Sequence, residues 1–170
     1  MPILAPEEIK AIDSNATELL ESVFGDIDNL KLPVNLNSVL DSCGLNLKEG
    51  GFKDENIAAA LDRDSKTIFV SSSDGIKKKS FSIAHELGHY KMHQDVKTDV
   101  FFRNQATHLL DPEENHRETE ANWFAASLLM PEKLVRELWD VLKDVDKMSN
   151  IFAVSHAAMR FRLKHLNLLK

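Results

Sequence analysis

The sequence predicts an α+β fold in which most of the chain is helical and a small three-stranded sheet lies beside a central helix. Apolar residues recur at helical spacing along most of the chain, whereas only three short stretches have the composition and length of strands. With 170 residues and 43% hydrophobic content, the chain is long enough to bury a sizeable core. We therefore expect one domain over 1–170.

The helices are predicted from apolar periodicity together with start and stop signals. An amphipathic stripe ahead of Gly25 predicts an N-terminal helix, and Asp111 followed by Pro112 is a typical helix start. The central helix carries the stretch FSIAHELGHYKMH, with Ser80 or Ser82 as its cap. The predicted helices are 6–23, 35–42, 81–93, 111–130, 131–142, 146–152 and 155–166.

The strands are shorter, and their assignment depends on β-branched and aromatic residues. The strand at 67–70 has the clearest composition, whereas the alanines at 58–60 suit a helix as well as a strand. Polar residues at 71–80 are expected to form a connector, and 95–110 has no clear period and is expected to link two helices. The predicted strands are 45–47, 57–61 and 67–70. The domain thus divides into an N-terminal helix at 6–23, a core at about 33–130 and C-terminal helices at 131–166.

The composition limits the kinds of protein that this chain can be. The net charge of −6 disfavours a general nucleic-acid binder, although residues 147–170 hold five basic residues and no acidic one. A lone cysteine, Cys43, allows no internal disulfide and fits a reducing compartment. The sequence shows neither a run of about 18 apolar residues nor a basic leader before an apolar stretch, so we expect a cytoplasmic protein without a membrane span.

The most informative stretch is HELGH on the central helix, which follows the pattern H-E-x-x-H. His85 and His89 are four residues apart, so on a helix both imidazoles lie on one face and can reach one metal ion. Glu86 lies one step round the helix and can face a water molecule at that ion. Gly88 has low helix propensity, which indicates that another element packs closely there. The pattern therefore predicts a metal site with His85 and His89 as ligands.

A catalytic zinc site has three protein ligands and one water, so a third ligand must come from elsewhere in the chain. His93 lies about 12 Å along the helix from His85, too far for all three imidazoles to share one ion. Glu118 is a better candidate, because it is a carboxylate on a helix face of small and apolar residues, where an unpartnered charge is costly. Asn122, one turn on, can accept a hydrogen bond from a ligand histidine and hold its tautomer. Weaker alternatives for the third ligand are His116 and Glu114.

Three stretches together resemble the ImmA/IrrE family of zinc metallopeptidases: FSIAHELGHYKMH, ETEANWFAASLLMP and FAVSHAAMRFRL. The H-E-x-x-H pattern occurs in many peptidases, whereas its combination with the second stretch is more distinctive. The likeness covers roughly 33–166 and implies a gluzincin-like core, with a small sheet beside the metal helix and a glutamate-bearing helix packed against it. It also implies that His85, His89 and Glu118 bind Zn²⁺ and that Glu86 is the catalytic base.

The resemblance further implies a protein substrate, because family members cleave helix-turn-helix transcriptional repressors encoded on mobile elements or in stress regulons. Some relatives carry a DNA-binding or sensor-like domain, and we expect neither within these 170 residues. We expect the strand at 67–70 to offer an edge to an extended substrate. No oxyanion-stabilising residue is assigned, because Tyr90 points off the ligand face and Arg162, which matches a family position, equally suits an ion pair.

Two other functions are compatible with the same sequence. The C-terminal helices and their basic excess resemble a helix-turn-helix in outline, but we expect basic packing helices and no direct nucleic-acid binding, since the whole chain is acidic. A metal-bound regulatory module that holds a partner without cutting it would carry the same ligands as a peptidase. A cleavage experiment separates this module from the enzyme.

Overall fold

The computed structural model describes residues 4–103 and 111–170. The described residues form seven α-helices and one four-stranded sheet, so the predicted α+β class is confirmed. The helices are α1 Pro6–Phe24, α2 Leu36–Ser42, α3 Ile76–Met92, α4 Pro112–Leu129, α5 Glu132–Leu142, α6 Val145–Ile151 and α7 His156–His165. The strands are β1 Asn46–Gly50, β2 Ile57–Asp62, β3 Thr67–Ser71 and β4 Thr98–Phe102.

The sheet contains one strand more than the three predicted. Its order is β1-β3-β2-β4, with β1 parallel to β3 and with β2 antiparallel to both β3 and β4. The additional strand, β4, lies within the stretch 95–110 that was expected to be a linker. Backbone pairing with β2 gives this five-residue segment its extended form, which its own mixed composition does not indicate. Residues 104–110 of that stretch lie outside the described part of the chain.

The strand at 67–70 does not have the free edge that the sequence suggested. It forms β3, which is hydrogen-bonded to β1 on one side and to β2 on the other, so that prediction is wrong. The outer strands of the described sheet are β1 and β4. Strand order depends on pairing between distant segments, which local composition does not specify.

The central helix α3 begins at Ile76 instead of residue 81, with Gly75 as its N-cap. Ser82, one of the two predicted caps, is buried inside the helix, where its hydroxyl donates to the Lys78 carbonyl at 2.9 Å. The three lysines after Ile76 are good helix formers. Residues 76–80 therefore extend the helix instead of belonging to the expected connector.

Helix α3 lies between the sheet and helix α4. It contacts β2, β3 and β4 on the sheet side and packs against α4, which also contacts α1. Helix α4 begins as predicted: the Asp111 carboxylate accepts a hydrogen bond from the Glu114 amide at 2.9 Å. Since α3 is covered from two directions, polar groups in its middle turns are removed from solvent.

The C-terminal helix α7 is tied to the rest of the core by Arg162. This buried guanidinium donates hydrogen bonds to the Met130 carbonyl at 3.1 Å and to the Asp13 carboxylate at 2.6 Å. Arg162 thus joins α7 to α1 and to the end of α4, which is the ion-pair role considered for it. None of the helices within 4–103 and 111–170 is both long and apolar enough to cross a membrane.

Candidate metal centre

The middle of α3 buries two imidazoles and a carboxylate. His85, Glu86 and His89 are all at most 2% exposed, in the part of the helix that α4 and β4 cover. The histidines lie one turn apart, and their Nε2 atoms are 3.0 Å from each other. The four-residue spacing therefore brings both imidazoles to one point.

Helix α4 brings a second carboxylate, Glu118, to the same point. Its Oε1 lies 3.0 Å from His89 Nε2 and its Oε2 lies 3.3 Å from His85 Nε2. The side chain is only 6% exposed, so Glu118 is turned towards the histidines and away from solvent. The three residues that the sequence nominated as ligands thus lie within contact distance of one another.

The absence of a side chain at Gly88 allows α4 to come this close. A Cβ at Gly88 would lie 3.2 Å from Phe124 Cβ and 3.3 Å from the Ala121 Cα. Ordinary van der Waals contacts between carbon atoms are about 3.5–4.0 Å. The close approach that we expected from this glycine is therefore present, and it sets the distance between α3 and α4.

Strand β4 adds a fourth side chain that the sequence did not reveal. Asp99 Oδ2 lies 3.0 Å from His89 Nε2, as close as the Glu118 oxygen. Two residues further, on the same face of the strand, the Phe101 ring stacks on His85 with 4.1 Å between ring centroids. The only sequence signal for strand β4 is the run TDVFF, whose β-branched and aromatic residues are compatible with a short strand.

The other ring nitrogen of each histidine has a partner that fixes its tautomer. His85 Nδ1 lies 2.9 Å from the Asn122 Oδ1, an acceptor, as the sequence suggested for Asn122. His89 Nδ1 lies 2.9 Å from His93 Nδ1, and His93 Nε2 lies 2.9 Å from the Glu120 carboxylate. His93 is therefore buried beside a ligand candidate and does not lie on the surface. With a metal bound, the Nδ1–H of each histidine would donate outwards and leave the Nε2 lone pair to the ion.

This arrangement has the features of a cation site. Four distances between facing ligand atoms are 3.0–3.3 Å, close to the ~3.3 Å expected between donors on a tetrahedral ion with bonds of about 2.05 Å, and all four ligand atoms lie within 4.8 Å of one another. Two carboxyl groups beside two imidazoles form a ligand set that suits a divalent cation. Four side chains thus form a group able to hold a metal ion: His85, His89, Asp99 and Glu118.

The two buried glutamates have opposite electrostatic surroundings. Burial raises the pKa of Glu118, but contacts with the imidazoles of His85 and His89 outweigh burial and lower that pKa to about 2. Burial also raises the pKa of Glu86 well above its ordinary value, and the charges of Asp99 and Glu118 raise it further. Neither Glu86 oxygen has a hydrogen-bond partner among the described residues. Glu118 is therefore held as a carboxylate, whereas Glu86 is poised to take up a proton.

A further residue that the sequence did not single out is Arg63, in the turn between β2 and β3. Its guanidinium donates hydrogen bonds to three carbonyls at the end of α3, those of His89, Tyr90 and His93, at 2.7–3.1 Å. It also lies 4.9 Å from the centroid of the Tyr90 ring. Arg63 thus caps the helix that carries the histidines, and Tyr90 packs against this cap, off the ligand face as predicted.

The two weaker candidates for the third ligand lie elsewhere. His116 Nε2 contacts the Glu8 carboxylate at 3.1 Å, which links α4 to α1. Glu114 is exposed in the first turn of α4, where its amide is capped by Asp111. Neither belongs to the four-residue group on α3, α4 and β4.

The comparison with solved structures shows the fold of this chain. A Mycobacterium tuberculosis transcriptional regulator is similar, with a TM-score of 0.67 and 18% identity over 91% of this chain and 46% of that one. The chain therefore spans about half the length of that regulator, and at this identity the likeness concerns the fold alone. No match was found among curated proteins.

The sequence itself matches a family model. The model of the IrrE N-terminal-like domain, Peptidase_M78, matches residues 41–164, well over half of the chain. The matched range contains all four side chains of the candidate metal group together with Glu86. The chain therefore belongs to this family of peptidases, and the resemblance to ImmA/IrrE proteins predicted from the sequence is confirmed.

Proposed function

We propose that the protein is a zinc-dependent endopeptidase that cleaves a helix-turn-helix transcriptional repressor. The observation that carries the proposal is the convergence of two imidazoles and the Glu118 carboxylate beside Glu86, a buried acid without a hydrogen-bond partner among the described residues. Two histidines and one glutamate are a typical ligand set of catalytic zinc. We assign His85, His89 and Glu118 as zinc ligands and Glu86 as the catalytic base.

Each residue of the site has a defined task in peptide hydrolysis. When bound, zinc supplies Lewis-acid chemistry, which activates a water molecule and polarises the peptide carbonyl. Glu86 takes up the proton from the attacking water and delivers it to the leaving amine nitrogen. The raised pKa of Glu86 suits this exchange, because the protonated form is stabilised after the first transfer. Asn122 holds the ring of His85, and His93 with Glu120 holds the ring of His89.

The outer edge of β4 is suited to bind the substrate. In the described sheet β4 pairs only with β2, so its other edge has backbone groups available to an extended peptide. The same strand places Asp99 and Phe101 beside the histidines. A peptide pairing there would lie next to the site, a position that the interior strand β3 does not offer.

A transcriptional repressor as substrate is supported by family membership. The resemblance to ImmA/IrrE proteins implies repressor cleavage, and the chain belongs to the IrrE N-terminal-like family. A repressor substrate would place the protein in the cytoplasm, in agreement with its lone Cys43. Direct binding to nucleic acid is not part of the proposal, because the net charge is −6 and Arg162 is used in an internal ion pair.

The experiment compares zinc content and proteolysis in the wild type and in Glu86→Gln. Each protein is loaded with zinc, its metal content is measured, and it is incubated with the proteome of the source organism while new peptide N-termini are labelled and sequenced. We expect about one zinc in both proteins, new termini in DNA-binding repressors with the wild type, and none with Glu86→Gln. Glu114→Gln, an exposed change on α4, is the matched control and should behave as the wild type.

A second function, a metal-bound regulatory module without peptidase activity, is favoured by one observation. Asp99 lies at the same distance from His89 as Glu118, so four protein side chains surround the site. Sites closed by four protein ligands are typically structural. Stoichiometric zinc with no cleavage products from either the wild type or an Asp99→Ala variant would support this module and contradict the peptidase.

A further inference from the structure

We propose that Asp99 is a fourth metal ligand, and that it holds the site in a closed, latent state in which the position needed by water is taken. The ligand assignment stands by itself, whereas latency rests on the proposed peptidase function. Asp99 Oδ2 lies 3.0 Å from His89 Nε2. This buried oxygen has no hydrogen-bond partner among the described residues, and its polar neighbours are His89 and the carboxyl group of Glu86.

Strand β4 fixes Asp99 in this position through its backbone and through a neighbouring ring. Asp99 is paired with Leu61 of β2 in the antiparallel ladder. Phe101, two residues on, stacks on His85 and contacts Phe81 with 6.3 Å between ring centroids. The direction of the Asp99 carboxylate is therefore set by the sheet and by α3, and the residue is not a free surface acid.

A catalytic metal site keeps one position open, whereas a tetrahedral ion with four protein ligands has none. Asp99 differs from the other three ligands in its exposure: its side chain is 18% exposed, against 6% for Glu118 and 3% or less for the histidines. Asp99 also lies next to Glu86. In the proposed mechanism Glu86 takes a proton from a water molecule, and that water requires the fourth position on the metal. Asp99 is thus the ligand with a route to solvent, and its withdrawal would open the site on the side of Glu86.

The first measurement tests the ligand assignment without any substrate. Wild type, Asp99→Ala and Asp99→Asn are loaded with Co²⁺, their visible spectra are recorded, and acetohydroxamate is titrated as a small probe of an open metal position. If the open form makes up less than about 10% of the wild type, Asp99→Ala should bind the probe at least about tenfold more tightly. Asp99→Asn keeps the size of the side chain and should give a changed spectrum even if the alanine variant folds poorly.

The matched control is Asp95→Ala, which removes the same charge four residues earlier. Asp95 is 73% exposed and contacts Arg117 at 3.5 Å, away from the metal group. Its spectrum and probe affinity should equal those of the wild type. If both Asp99 variants gave the same spectra and probe affinities as the wild type, the ligand assignment would be overturned. This conclusion would not depend on the proteolytic activity.

The second measurement tests latency with the labelling of new N-termini in the proteome. Zinc-loaded Asp99→Ala should produce more cleavage than the wild type, by the same factor of about ten, because a larger fraction of molecules is open. Less cleavage in Asp99→Ala would overturn latency and make Asp99 a residue that assists the reaction. A changed Co²⁺ spectrum with no cleavage by any variant would support the ligand assignment, and it would overturn the peptidase function together with latency.

Discussion

Two walls enclose the candidate metal site, and they differ in construction. The α4 wall supplies Glu118 and Asn122 from a long, capped helix that is buried between α1 and α3. The β4 wall supplies Asp99 and Phe101 from a five-residue strand at the edge of the sheet. We therefore propose different tasks for the two walls: α4 retains the metal, and the partly exposed β4 controls access to it.

The strongest test of this division is Glu118→Gln. The variant keeps the size of the side chain but loses the charge, so we expect zinc affinity to fall by more than about 100-fold, beyond the 10–100-fold usual for groups that only orient ligands. Zinc affinity is measured by competition with a chromophoric chelator. Glu113→Gln, an exposed change on the same helix, should leave affinity unchanged. If Glu118→Gln lowered zinc affinity less than Asp99→Asn did, the metal would be retained mainly by β4 and not by α4.

The α4 wall also reaches the second histidine, through His93 and Glu120. Removing the ring in His93→Ala frees His89 Nδ1 from its partner, and we expect zinc affinity to fall by about 10–100-fold. His156→Ala is the control, because His156 is exposed on α7 and contacts Asp146, away from the metal group. Equal affinities of the two variants in the chelator competition would show that His93 does not orient His89.

The contact between α3 and α4 should itself be sensitive to volume. Gly88→Val places atoms against Phe124 and the α4 backbone, so we expect the free energy of unfolding to fall by about 1–3 kcal/mol. Zinc affinity should fall with it, because the helix that carries Glu118 is pushed away. Gly51→Val is the comparison in chemical denaturation, because Gly51 lies outside the helices and no atom lies within 4 Å of a Cβ there. If the Gly88→Val protein were as stable as the Gly51→Val protein, the added side chain would fit between α3 and α4 without a free-energy cost.

The α4 wall could be predicted from the sequence because helical spacing is a local property. Positions four apart share a face whatever the rest of the fold does, so His85 and His89, and likewise Glu118 and Asn122, could be placed from their numbers alone. The low helix propensity of Gly88 predicted that another element packs closely there. Phe124 and Ala121 of α4 do lie close to this position. A carboxylate on an apolar helix face then needed a cation partner, and that reasoning led to Glu118.

The β4 wall could not be predicted because it depends on pairing between distant segments. Asp99 reaches the metal group only because Thr98–Phe102 adds to β2, some forty residues earlier in the chain. Arg63 is another such case: it lies in the turn between β2 and β3, and its local sequence does not indicate the carbonyls at the end of α3 that its guanidinium binds. The position of β3 inside the sheet was missed for the same reason, since strand order is not a local property.

The smallest effect concerns Glu86, which lies between the two walls and has no hydrogen-bond partner among the described residues. Its folded pKa is raised from 4.5 by burial, so the folded protein keeps a proton that the unfolded chain releases above pH 4.5. In metal-free protein this contribution to stability is present below pH 4.5 and is lost as the pH rises. Glu86→Gln has no such loss, so its stability relative to the wild type should grow between pH 4 and pH 8.

The gain should be on the order of 1 kcal/mol near pH 8, since one unit of pKa shift corresponds to about 1.4 kcal/mol. The cost of the buried amide, which also lacks partners, is the same at every pH and does not change this gain. Urea unfolding of both proteins after treatment with EDTA gives the difference at each pH, and the pH dependence of all other groups cancels between them. A difference that stays constant from pH 4 to pH 8 would mean that Glu86 ionises normally in the folded state. It would then have a polar neighbour, and the space between α4 and β4 would be wet in the metal-free protein instead of closed by Asp99 and Phe101.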